Sequence, residues 1–392
     1  MSKIKAFFSA SFSIVVIIVI SIIGFSCNFG SSNNDENQAS AKTQIAKVFN
    51  EKYNYNLFVD NSGSMKDFTP INGKNATEYQ RCLSNFIQYL FQPQTNTYKI
   101  YTFNTGIDTL NRNFKKRESI DSFINDLAAG KLKKGNPNNT ELERILTKII
   151  EGLDRNDITV IISDFIFDGK NVADKTTLRD QISHHLDDKL NAFDLSTLVL
   201  KFHSKWRNDP QKPYYMMLFG NENKINDILL YVLHHNYSSL GFDDFYELSN
   251  PNKDIAAQLK LLPEYYGIHA PATSLITENA KCSDNIFRCA IRINMSSVPY
   301  SDAYLADINN YTFPDSYKLK ITTEQTPFTH IIELESQKLN KGKIELGLRN
   351  KKLDSSILAN KTDMPQLLES ITEIYKQHYN STNYFTKTIT IN

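Results

Sequence analysis

Between residues 53 and 235 the apolar positions switch repeatedly between short continuous runs and a spacing of three or four. "YNYNLFVD" (53–60), "TYKIYTFN" (97–104), "DITVIISD" (157–164), "LSTLVLKFH" (195–203) and "PYYMMLFG" (213–220) have the length and the β-branched or aromatic content of strands. "NATEYQRCLSNFIQYLF" (75–91), "RESIDSFINDLAAG" (117–130), "TELERILTKIIEGL" (140–153), "TTLRDQISHHLDDKLNAF" (176–193) and "NKINDILLYVLHH" (223–235) repeat at helical spacing, the second stopping at Gly130. Runs such as Thr159 to Ile162 and Met216 to Phe219 lack alternation, as expected of strands covered on both faces. Strands and helices in succession predict an α/β fold with a doubly wound, mainly parallel sheet over residues 50–240.

Past Gly241 the pattern changes. A mixed stretch over 241–280 leads into "IFRCAIRINM", "SYKLKITTE", "HIIELES" and "GKIELGLRN", and the chain ends on the alternating "YFTKTITIN". One helix is predicted in "MPQLLESITEIYKQHY", with Pro365 in its first turn. Residues 281–392 therefore read as a smaller β-sandwich-like domain with one helix.

The first residues follow another rule. "MSKIK" is basic, Ala6 to Phe25 is an uncharged apolar run, and the chain then turns polar, which is the layout of an export signal. About 20 apolar residues can also span a bilayer, so an uncleaved anchor is the alternative. Cys27 stands at the end of the run. A small residue followed by Cys resembles the lipobox of bacterial lipoproteins, although Gly24 stands where Leu is usual and Phe25 is bulky for its place. That resemblance implies a signal peptide over 1–26, lipidation of Cys27 and an exported protein held on a bacterial membrane, the outer membrane or cell surface. Residues 27–49, rich in Ser, Asn and Gln, read as a flexible polar tether.

Charge removes one class of function. The formal net charge is +1 over 392 residues, with no long basic run, which argues against a nucleic-acid partner. At 41% hydrophobic and 22% charged, the bulk is expected to fold around ordinary cores. Cys82 lies in a helical pattern and reads as a buried thiol, while Cys282 and Cys289 bracket "CSDNIFRC", a pairing left open. His184-His185 and His234-His235 are adjacent on helices and point about 100° apart, so they read as surface or packing residues. His-Glu-x-x-His, Gly-x-Ser-x-Gly and phosphate-cradling Gly-x-x-x-x-Gly-Lys-Ser/Thr are all absent from the sequence, and no small-molecule substrate is evident.

The chemistry concentrates in "LFVDNSGSM" (57–65). Asp60 ends the first strand, so it is placed on the C-terminal rim of the sheet, where open α/β sheets collect ligands. Ser62 and Ser64 follow at every second position in a loop that Gly63 allows to curl. Three such oxygens can converge on a hard cation, but Mg²⁺ asks for six at about 2.0–2.1 Å. Thr140, in the loop before a helix, and Asp164, at the end of a buried strand, are candidates for the rest. Each has a plainer reading: "DNSGS" as a turn, Thr140-Glu141-Leu142-Glu143 as a capping box, Asp164 as a turn start or a lysine partner.

Taken together, Asp-x-Ser-x-Ser after a strand, a Thr further on and a second strand ending Ser-Asp resemble a von Willebrand factor type A (VWA) domain with its metal-ion-dependent adhesion site. The resemblance covers roughly residues 50–237 and departs at Phe165, where the family often has Gly. It implies that Asp60, Ser62, Ser64, Thr140 and Asp164 hold Mg²⁺ (or Mn²⁺ or Ca²⁺), and that an acidic residue of a protein ligand completes the ion's shell. Adhesion or protein binding is then expected, not catalysis. The alternatives are an envelope assembly factor working with another membrane protein or an ATPase and, further off, a metal-dependent hydrolase.

Overall fold

The computed structural model describes residues 53–69, 76–91, 96–112, 114, 116–128, 130–132, 141–166, 175–206, 209–235, 237–260, 275–277, 280, 282, 285–325, 327–351 and 362–392. The predicted signal peptide, Cys27 and tether lie outside them, and so does Thr140. Residues 50–392 form one compact unit.

Its centre is a seven-stranded sheet in the order β3-β2-β1-β4-β6-β5-β7. The strands are β1 (Asn54–Asp60), β2 (Thr97–Phe103), β3 (Ile107–Leu110), β4 (Asp157–Ser163), β5 (Leu195–Trp206), β6 (Asp209–Asn221) and β7 (Phe242–Leu248). β1 runs parallel to both β2 and β4. The other four neighbouring pairs are antiparallel. The sheet is therefore mixed, which corrects the expectation of a mainly parallel one. The physical reason lies in the connections: a parallel neighbour needs a crossover of about a dozen residues or more, and none separates β5 from β6 or β2 from β3. β5 and β6 form a hairpin that places β6 beside β4.

Helices cover both faces, as the uninterrupted apolar strands require. Along β6, Tyr214, Met216 and Leu218 enter one apolar cluster with residues of α1 (Glu78–Phe91), α2 (Arg117–Ala128) and α5 (Glu222–His234). Tyr215, Met217 and Phe219 point the other way, toward α3 (Leu142–Glu151), α4 (Lys175–Ala192) and α7 (Met364–Tyr379). α2 stops where Gly130 takes a left-handed φ of 66°.

Two further four-stranded sheets follow, β12-β13-β10-β8 and β11-β14-β15-β9. They are built from β8 (Ala257–Lys260), β9 (Ile276–Thr277), β10 (Phe287–Ile293), β11 (Tyr311–Thr312), β12 (Lys318–Thr323), β13 (His330–Ser336), β14 (Gly342–Arg349) and β15 (Asn383–Ile391), with the short helix α6 (Asp302–Ala306) before β11. Inward residues of both sheets, among them Ile291, Ile332, Leu346 and Ile389, belong to one apolar cluster. The helix expected to accompany them goes elsewhere: α7 packs on the seven-stranded sheet, where Tyr375 Oη lies 3.0 Å from Thr197 Oγ1 and His378 Nδ1 2.8 Å from Asp187 Oδ1. β7 likewise extends that sheet beyond residue 240. Cys82 is buried, as expected, and neither exposed Cys282 nor buried Cys289 is in a disulfide.

This interlocking has a measurable consequence. Ile371 of α7 is fully buried among side chains of α4 and the sheet. Ile371→Ala should cost about 2–5 kcal/mol. In urea unfolding, probes of the sheet and of the C-terminal strands should shift together.

Candidate metal site

β1 ends between two parallel neighbours, and the chain leaves it toward β2 on one side before returning to β4 on the other. The crevice between the C-terminal ends of β1 and β4 is thus a switch point in strand order. Asp60 is the last residue of β1, in register with Phe103, and Asp164 directly follows β4. Both carboxylates are almost fully buried, 2% and 1% exposed.

Hydroxyls join them. Ser62 N donates to Asp60 Oδ1 at 2.8 Å, and Ser163 Oγ donates to Asp60 Oδ2 at 2.7 Å. Ser62 Oγ and Ser64 Oγ are 3.1 Å apart, and Ser64 Oγ donates to Asp164 Oδ1 at 3.2 Å. Ser64's single proton is committed to Asp164, so Ser62 is the donor between the two serines. Four of the five expected residues therefore meet at one point. The fifth, Thr140, lies outside the described residues; its neighbour Glu141 donates its N–H to the carbonyl of Asn104 at 3.2 Å, just past the end of β2 on the same rim. α3 begins at Leu142 with no side-chain cap from Glu141.

Two local conformations differ from what residue type suggests. Gly63 has φ −62° and ψ −38°, open to any residue, so its freedom is not used in the turn Ser64–Phe68. Phe165, where the family often has Gly, adopts the left-handed φ of 50°. A bulky residue there carries strain of about 1–2 kcal/mol. Burial of its ring against Tyr215 offsets it, as do the bonds from Phe165 N to Ser163 Oγ and from Asp363 N to Phe165 O, both 2.9 Å. The second bond ties the start of α7 to the rim of the site.

Two participants were not among the five expected ligands. Ser163 bridges Asp60 to the backbone of Phe165. Lys212 reaches in from β6: its Nζ donates to the carbonyl of Ser64 at 3.1 Å and lies 3.4 Å from Asp164 Oδ2. That second approach is an ion pair without hydrogen-bond geometry, so Asp164 Oδ2 is a buried oxygen with no donor.

Electrostatically the pair is ill at ease without a cation. Burial and then the charge of Asp164 push the Asp60 carboxyl up from its ordinary 3.8 to about 7, against the lowering effect of Ser163 and Ser62. Burial also raises Asp164, with Lys212 opposing. The donors are all hard oxygens, the set that suits Mg²⁺, Mn²⁺ or Ca²⁺, and the undonated oxygen of Asp164 is available to such an ion. The residues present fit the metal that the resemblance implies. Among the described residues there is no group of three or more His, Cys, Asp or Glu placed to hold a metal ion. A comparison with protein-family models gives no match, and a comparison with curated proteins gives none either.

Proposed function

We propose that this chain is a VWA-type binding protein, exported and lipid-anchored through Cys27, whose rim residues Asp60, Ser62, Ser64, Thr140 and Asp164 hold a divalent cation for a protein ligand. The observation that carries the reading is the bridged pair of buried carboxylates at the β1–β4 switch point, joined through Ser62 and Ser64, with one Asp164 oxygen undonated. The sheet is mixed where the resemblance implies a mainly parallel one, and the reading rests on the site and not on the sheet.

When bound, the ion supplies a positive centre with an open position for an acidic side chain of the ligand. The chain's own groups set the terms. Asp60 and Asp164 bring negative charge that burial and their mutual repulsion keep unsatisfied. The serine hydroxyls hold the carboxylate oxygens in place, and the apolar strands behind them exclude water. Two carboxylates balance a dication in charge, and with the neutral hydroxyls they fill only part of its six-oxygen shell, which leaves a position for a third carboxylate. This favours binding over catalysis.

The test is a calorimetric titration of Mg²⁺ into the detergent-solubilised full chain, beside Asp60→Ala and Ser64→Ala. One-site binding, even if only millimolar, should vanish in both variants while each still unfolds cooperatively. Unchanged binding in both would remove the metal from this rim. Collapse of both folds would make these residues structural.

A further inference from the structure

Lys212 has no role in the reading above, yet it touches the site at two points. It owes its place to the hairpin. β6 runs antiparallel to β4 with Tyr215 opposite Ser163, so the residues before Tyr215 extend past the end of β4, over Asp164. The side chain is only 15% exposed, and its ammonium lies 4.7 Å from the centroid of the Phe68 ring. Phe68 is itself fully buried at the end of the turn that starts at Ser64. The lysine is therefore packed in position with its charge directed at the carboxylate pair.

Among its polar contacts are the carbonyl of Ser64 and Asp164 Oδ2. The second is the same oxygen that no hydrogen bond occupies. One positive charge placed there offsets part of the cost of two buried carboxylates. A dication drawn to the same oxygens would stand a few ångströms from the ammonium in a poorly screened crevice, where like charges repel strongly.

We propose that Lys212 is a tethered cation that keeps divalent metal out of the rim until its side chain is displaced. The inference rests on the metal-site reading of the preceding subsection. It makes the site self-inhibited: the protein holds together without an ion, and ion loading is coupled to movement of Lys212 away from Ser64 and Asp164. Anything that draws the ammonium away, such as an acidic group of the ligand itself, then favours loading.

Mg²⁺ titration of the full chain and of Lys212→Met, Lys212→Gln and Lys212→Arg tests this. The two neutral variants should bind Mg²⁺ about tenfold or more tightly than the wild type, since a like charge beside the ion is removed. Lys212→Arg keeps the charge and should stay at or below wild-type affinity. Lys212→Gln can still donate to the Ser64 carbonyl, which keeps the test informative if Lys212→Met is poorly folded. Neutral variants that bind no more tightly than the wild type, with binding still lost in Asp60→Ala, would overturn the role of Lys212 and leave the metal site standing. No ion binding in any variant would remove the metal site and, with it, this inference.

Discussion

Replacing Asp60 with Asn should stabilise the metal-free protein above pH 7 by on the order of 4 kcal/mol and abolish its stabilisation by Mg²⁺. The sign follows from the direction of the shift. Burial and the charge of Asp164 push Asp60 up to about 7 in the folded chain from its ordinary 3.8, so the folded state holds its proton more tightly than the unfolded state does. Below about 4 the group is neutral in both states and costs nothing. As pH rises from there to about 7 the unfolded chain ionises first, and stability falls. Above 7 the buried carboxylate is charged beside Asp164 and the loss is complete. Asn removes that loss while its Oδ1 can still accept from Ser62 N and its amide can donate to Ser163 Oγ. Thermal unfolding in chelator across pH 4 to 9 checks the first half, and the same scan with Mg²⁺ checks the second. A wild-type curve that rises between pH 4 and 7 relative to Asp60→Asn would reverse the argument.

Lys253→Met is the other large effect, and it probes the joint between the seven-stranded sheet and the strands that follow. Lys253 Nζ pairs with Glu247 Oε1 at 2.9 Å and Glu222 Oε1 at 3.3 Å, and sits 3.6 Å from the centroid of the Tyr384 ring. It thereby links β7, the start of α5 and β15. The Glu247 side chain is fully buried, and its Oε2 has no hydrogen-bond partner. Removing the lysine strands a buried carboxylate, a change that costs about 3–5 kcal/mol. The double variant Lys253→Met/Glu247→Leu should regain most of that, because an apolar pair of similar volume replaces a buried ion pair at little cost. Urea unfolding of the single and double variants measures both. Equal destabilisation in the two would mean that packing against Tyr384, not charge, is what Lys253 contributes.

Much of the site was legible because its physics is local. β1 and β4 are apolar runs that end abruptly in Asp, and a strand end fixes where its last side chain sits. Ser62 and Ser64 follow within one turn. α3 and α7 announced themselves by spacing, and Pro365 falls in the first turn of α7 as expected. The strand directions were not read correctly, although the cue was present: "SKWRNDPQK" (204–212), between the two predicted strands, is too short for a crossover, so the two had to be antiparallel. β7 escaped notice because Asp243 and Asp244 disfavour a strand. As an edge strand it exposes Asp243, whose Oδ1 meets His203 Nδ1 at 2.6 Å, while Asp244 pairs with Lys351 Nζ at 2.7 Å. α7 shows the opposite limit: an amphipathic stripe reveals that a face is buried but not against which surface. Lys212 was out of reach for the same reason, since its nearness to Asp164 depends on the pairing of β6 with β4.

Binding at this rim depends on a divalent cation between the ends of β1 and β4. Anomalous diffraction from crystals of the wild type and of Lys212→Met soaked in Mn²⁺ would locate it. One peak is expected among oxygens of Asp60, Ser62, Ser64 and Asp164, stronger in Lys212→Met, with Lys212 moved off Asp164 in the wild type wherever the peak is present. No peak at this rim in either crystal, or Mn²⁺ bound only at other carboxylates, would contradict it.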